Sequence, residues 1–278
     1  MGEQGAILPT IPFGTHRISR LICGSNPLNG GSHLSVFVNR QMRRYFTDDQ
    51  VMRTLRRCEE MGISAWQSGS GNLPWYRRYV AEGGRLLFIS LGADNPAYPT
   101  ELTDLAEACC IAVAHHGEVT DVLFKEGRID DVRPYLDRIR EAGMMAGIST
   151  HIPAVVECVE EKGWDVDFYM CCVYERHRTE QELVALLGQA PIPVGEVYLP
   201  GDPPRMYAAM RATSRPCLAF KILAAGRLSD RPEWVEQAFR QTLESIKPID
   251  GVIVGMYDEY SDQPAENAEL VRRFGNAG

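Results

Sequence analysis

Eight short apolar runs alternate with helix-patterned segments along the 278-residue chain, and this alternation limits the fold more than any other feature. The runs occupy residues 20–24, 62–67, 86–91, 110–114, 144–149, 166–174, 217–222 and 251–255. Between them, Thr47 caps a helix expected to run to Met61, with Val51, Leu55 and Cys58 on one face. A second helical pattern over 130–142 stops at Gly143, and others fall near 74–82, 100–108, 153–162, 203–213, 234–246 and 265–274. Apolar runs that feed amphipathic helices are the pattern of parallel strands buried on both faces. Eight such units of roughly 30 residues predict one (β/α)8 barrel domain over residues 1–278. Residues 6–19 read as a β-hairpin turning at 13–15, placed to plug the bottom of that barrel. Residues 175–202 are extra to the repeat and are a candidate lid.

The composition, 45% hydrophobic and 24% charged, is that of a soluble globular protein. A net charge of −8 and the lack of any basic run argue against a general nucleic-acid binder. No apolar run approaches the ~18 residues of a membrane helix, and the N-terminus lacks the plan of a signal peptide, so a cytoplasmic location is expected. The eight cysteines fit that compartment, and without a CxxC pair they do not suggest a structural zinc site.

In a parallel barrel the polar residues that matter stand where strands end, because ligands bind at the C-terminal face. Five of the six histidines fall at or just beyond such an end: His33, His115, His116, His151 and His177. Asn26, Gln67, Asp121, Tyr174, Glu175, Glu196 and Lys221 join them. His33, His116 and His151 are candidate ligands of a divalent transition metal, since imidazoles from different strands can surround one ion. The alternative is that these histidines bind substrate or move protons. Lys221 is one of only four lysines and interrupts an apolar strand. It is a candidate for Schiff-base or general-base chemistry, or else an ion-pair partner of Glu196. Cys171 and Cys172 read as core, and Asp165 and Asp167 belong to the far end of the barrel.

Several stretches in order resemble the aldo-keto reductases: residues 18–24 (ISRLICG), 141–149 (EAGMMAGIS), 220–228 (FKILAAGRL), and 252–255 (VIVG) followed by Ala265-Glu266-Asn267. The resemblance implies the same barrel and a redox tetrad of Asp, Tyr, Lys and His, but most of that tetrad is missing. Gln67 stands where the family has its Asp, Asn72 where it has its Tyr, and Gly92 where it has its Lys. Tyr76 is nearby but displaced, and only the His is matched, by His115 or His116. On the cofactor side Glu266 and Asn267 match the family's adenine-contacting pair, whereas Asp258, Glu259 and Asp262 would repel a 2′-phosphate.

These residues point to a non-redox enzyme of lyase or isomerase type acting on a small oxygenated carbonyl or polyol substrate. His116, His151 and His115 would move protons or hold a metal, Lys221 would bind or activate the carbonyl, and Asn26, His33, Gln67, Tyr174 and Glu196 would position the substrate. Two alternatives stay open. One is an NAD(P)-dependent oxidoreductase using His115 or His116 and Tyr76 in a rearranged acid site. The other is a catalytically silent barrel that binds a ligand or partner.

Overall fold

The structure, a computed structural model, describes residues 7–97, 100–192 and 196–276. Residue 6 of the expected hairpin and residues 193–195 of the expected lid lie outside that range, as do the ends of the expected 1–278 span. Eight parallel strands close into a barrel: β3 (Leu21–Gly24), β4 (Ala65–Gly69), β5 (Leu87–Gly92), β6 (Ala112–His115), β7 (Met145–Thr150), β8 (Phe168–Cys172), β9 (Cys217–Phe220) and β10 (Gly251–Gly255). The ring closes where Val252 of β10 registers with Leu21 of β3. The fold is therefore the (β/α)8 barrel that the apolar runs imply.

Strand side chains alternate, so one set faces the axis and the other faces the helices. The axial set includes Ile22, Ala65, Ile89, Ala112, Ala114, Phe168, Met170, Leu218 and Ile253, all buried. Gly147 belongs to this layer because a Cβ there would meet the Phe168 ring at 2.4 Å. The hairpin β1 (Thr10–Phe13) and β2 (His16–Ser19) inserts Ile11, Phe13 and Ile18 into the same cluster. Phe13 meets Phe168, the first residue of β8, edge-on at 5.0 Å, which puts the plug at the N-terminal end of the barrel. Each such buried Ile or Phe side chain contributes roughly 1.5–3 kcal/mol relative to exposure.

The outer layer contains α2 (Asp48–Glu60), α3 (Leu73–Ala81), α4 (Leu102–Glu107), α6 (Arg133–Glu141), α7 (Pro153–Glu161), α9 (Asp202–Ala212), α10 (Pro232–Ser245) and α11 (Gln263–Phe274). Thr47 caps α2 by accepting from Gln50 N–H, and α2 buries Val51, Leu55 and Cys58, as its spacing implies. Three further helices were not evident in the sequence: α1 (Val36–Tyr45), α5 (Gly117–Lys125) and α8 (Glu180–Leu187). No helix is long and apolar enough to cross a membrane among the described residues.

Arg20 ties the bottom together from a position that is 2% exposed. Its guanidinium donates to the carbonyls of Asp250 at 3.0 Å, Lys247 at 3.0 Å and Gly275 at 2.5 Å. The first and last strands of the ring and the end of α11 therefore share one cation.

Candidate active site

Helix α5 begins directly after β6, and its second turn carries Asp121 across to the end of β7. That close approach needs Gly117, where a Cβ would lie 3.0 Å from Ser149 Oγ and 3.2 Å from His151 Cε1. Asp121 accepts from Thr150 Oγ1 at 2.6 Å, from the His151 backbone N–H at 3.1 Å and from His151 Nδ1 at 2.7 Å. With Nδ1–H held by a carboxylate, Nε2 of His151 is the basic nitrogen. Both side chains are almost fully buried. Burial lowers the imidazole pKa, and Asp121 opposes it by favouring the charged ring. The His177 and Phe220 rings pack edge-on against His151 at 4.9 and 5.6 Å.

A second cluster gathers on His33. Its Nδ1 donates to Glu196 Oε1 at 2.9 Å, so Nε2 is the acceptor. Asn26 Nδ2 and Lys221 Nζ lie 3.1 and 3.2 Å from that nitrogen. Glu196 also accepts from Arg176 and Tyr198 and sits 3.7 Å from the Lys221 ammonium position. Arg176 reaches Glu118 at 2.5 Å with its other amino group. The His33 carbonyl accepts from Arg227, whose guanidinium stacks 4.2 Å over the Tyr198 ring. Loops after β3, β8 and β9 therefore meet at one residue.

Burial pulls the Lys221 amine down to about 7, and Arg176 and Arg227 push it the same way against Cys172 and Glu118. Burial likewise holds His33 at about 4, with Lys221 and Arg176 adding to the effect. At neutral pH His33 is therefore an uncharged acceptor beside a lysine that titrates within the physiological range.

These groups line or border a cavity of about 1010 Å³ at the C-terminal face. His116, His151, Lys221, Asn26, His33 and Gln67 all line it. His116 is the N-cap residue of α5, and burial lowers its pKa to about 4. The cavity also has an outer arm, formed by the loop after β9 and the first turns of α10 and α11. Glu266 and Asn267 line that arm, with Glu266 accepting from Ser261 Oγ at 3.0 Å and Asn267 donating to the Met256 sulfur.

Several expectations do not match this geometry. His115 is the last residue of β6, and alternation turns it outward, where Nδ1 bonds Thr120 Oγ1 at 2.7 Å and the ring packs on Tyr135. It is not at the mouth. Tyr174 is buried against Tyr198 and does not line the cavity, and Glu196 stands behind the lining residues His33, Arg176 and Lys221. Among the described residues no group of three or more His, Cys, Asp or Glu side chains is placed to hold a metal ion. The expected ligand set of His33, His116 and His151 is not assembled, and His33 has no nitrogen to spare, since Nδ1 bonds Glu196 and Nε2 faces Asn26 and Lys221.

The rearranged acid at Tyr76 is also absent from the mouth. Its hydroxyl donates to the Leu86 carbonyl at 3.1 Å, and the ring stacks on Phe88 in the helix layer. Gln67 does occupy an inward position, in the middle of β4, where it lines the cavity. Arg176 and Glu118 line the same cavity, and the sequence did not single them out. Arg176 lies in a run, Glu175-Arg176-His177-Arg178, that reads as a solvated charged loop. The loop is instead drawn inward by Arg178, which is 5% exposed and bonds Asp202 at the start of α9.

No protein-family model matches the sequence, and a search of curated proteins found no match. Solved structures do share the fold. A truncated 3-deoxy-D-arabino-heptulosonate 7-phosphate synthase from Thermotoga maritima aligns over 98% of this chain and 92% of its own, with TM-score 0.52 and 13% identity. A glycerol dehydrogenase from Gluconobacter oxydans, an aldo-keto reductase, aligns over 97% of both chains, with TM-score 0.50 and 12% identity. At such identities the likeness is one of fold. The aldo-keto reductase resemblance is thus one of several barrel likenesses.

Proposed function

We propose that the protein is a non-redox enzyme of lyase or isomerase type that moves a proton next to the carbonyl of an oxygenated substrate. The observation that carries this reading is the Asp121–His151 pair, whose Nδ1–H···O contact of 2.7 Å leaves Nε2 as a base on a cavity that Lys221 also lines. A carboxylate that fixes the tautomer of a histidine and steadies its imidazolium form is a recurrent device of proton-transfer sites.

Neutral Lys221 would attack the carbonyl carbon as the C=O electron pair moves to oxygen. Loss of that oxygen as water then gives a protonated imine. The imine acidifies the adjacent C–H, and His151 Nε2 takes that proton while the C–H electron pair enters the enamine. Return of the proton to the opposite face of the same carbon completes an epimerisation, and departure of a β-substituent with the electron pair completes an elimination; water then adds to the protonated imine, restoring the carbonyl and freeing the Lys221 amine. Asn26, Gln67 and His33 supply polar contacts for hydroxyl groups, and Arg176 favours a developing oxyanion.

The test combines deuterium exchange with covalent trapping. Hydroxyacetone and short aldoses are incubated with the protein in D2O, and exchange at the carbon next to the carbonyl is followed by NMR. Borohydride is added in parallel, and mass spectrometry locates any adduct. Exchange that depends on His151, with an adduct on Lys221, supports the reading; absence of exchange across the panel rejects it.

A further inference from the structure

The two ends of the cavity differ in chemistry. Arg176 and Lys221 are the only Lys or Arg side chains lining it among the described residues, and both stand at the mouth with the histidines. The outer arm has apolar walls from Val235, Tyr257 and Leu270, and its charged side chains are acidic, among them Asp230, Glu266 and Glu269. Arg240 and Arg273, on the same two helices, bond Glu236 and do not line the arm.

We propose that the substrate has two parts: an oxygenated carbonyl head at the mouth and a bulky, uncharged apolar group in the outer arm. The head rests on the proton-transfer reading above; the tail rests on the arm itself. At about 1010 Å³ the cavity is at the upper end of the ~300–1,000 Å³ range typical of pockets for drug-sized ligands, so a bare triose or polyol leaves most of it unfilled. Apolar walls favour a group that leaves water. Carboxylates without a lining cation repel phosphate, so the arm does not suit the pyrophosphate of a dinucleotide even though Glu266 and Asn267 are there. A tail-bearing carbonyl compound satisfies both ends with one molecule.

Calorimetry on the full-length protein compares hydroxyacetone with 1-hydroxy-4-phenylbutan-2-one, which share a head and differ in the tail. The phenyl compound is expected to bind at least about tenfold more tightly, the gain from burying roughly 60 Å² of additional apolar surface. Leu270→Lys places a cation in the arm and is expected to abolish that advantage while leaving hydroxyacetone binding unchanged. Val235→Lys serves the same purpose if the first variant does not fold by circular dichroism. NADP+ is expected not to displace the phenyl compound. Equal affinity for the two ketones, or displacement by NADP+, overturns the proposal. Deuterium exchange on the same ketones separates the two claims: a tail preference without exchange removes the proton-transfer reading alone, and exchange without a tail preference removes the tail alone.

Discussion

Lys221 Nζ lies 3.2 Å from His33 Nε2, and both residues hold left-handed backbone, at φ 59° and 56°. Non-glycine residues in that region cost of order 1–3 kcal/mol each and persist where the surroundings enforce them. Here the enforcement is mutual, since Glu196, Asn26 and Arg227 fix His33 while β9 delivers Lys221 to it. The pair joins the loops after β3 and β9 over the mouth of the barrel.

Borohydride trapping on Lys221 is expected to rise with pH, with a midpoint near 7, because the unprotonated amine is the nucleophile. His33→Ala admits water beside the amine and relieves its burial. The midpoint of the trapping-rate profile should then move toward the ordinary lysine value, and an unmoved midpoint would contradict the assigned environment.

The depressed Lys221 pKa also makes a stability claim. Between about 7 and its ordinary value of 10.5 the unfolded chain binds this proton more strongly than the folded one. Its contribution is therefore fullest above 10.5 and is lost as pH falls to about 7. Lys221→Met should melt at a higher temperature than the native protein at pH 7, and that gap should shrink toward pH 10.5 in thermal scans.

Asp121→Asn preserves the packing but no longer fixes the His151 tautomer or steadies its imidazolium form. Deuterium exchange should fall by about 10²–10⁴-fold, the usual weight of a general base and its orienting carboxylate. Far-ultraviolet dichroism should be unchanged, so that the loss reads as chemistry rather than unfolding.

His33, His116 and His177 all have pKa values lowered to about 4, chiefly by burial. On acidification the unfolded chain takes up these protons near 6.5 while the folded chain waits until about 4. Denaturant midpoints should be steady above 6.5, fall between 6.5 and 4, and level off below that as far as these groups are concerned. A His33→Gln, His177→Gln double variant should show a shallower fall across the same window.

Arg20→Met leaves several buried carbonyls without their charged donor. Loss of roughly 3 kcal/mol is expected, or about 6–12 °C in melting temperature for a chain of this size. Deuterium exchange on a carbonyl substrate at 20 °C should persist, because Arg20 lies at the end of the barrel away from the mouth.

The barrel was legible in the sequence because buried parallel strands leave a strong signal, an apolar run ending in polar residues. The run at residues 217–222 is an instance: it foretold β9 and the place of Lys221. His151 was legible for the same reason, but its partner needed Asp121 to be on a helix. Helix α5 gave no clear signal, because it starts at a glycine and carries Glu118, Thr120 and Asp121 on faces turned toward the barrel. His115 and His116 could not be ranked from composition, since adjacent residues at a strand end point opposite ways and the register decides which one faces the axis. Arg176 was hidden by its charged neighbours. The metal expectation did not carry over to the geometry: the three imidazoles are near one mouth, yet both nitrogens of His33 are engaged, by Glu196 and by Asn26 and Lys221, and no metal-holding group of three forms among the described residues.

The meeting of three loops at His33 also sets what can be inherited separately. A chimera that took only the β3 loop from another barrel would leave Glu196 and Lys221 facing a stranger, and one that took only the β9 loop would remove the donor to the His33 carbonyl. The loops after β3, β8 and β9 are therefore one module of exchange. Variation in this lineage should pass through all three together.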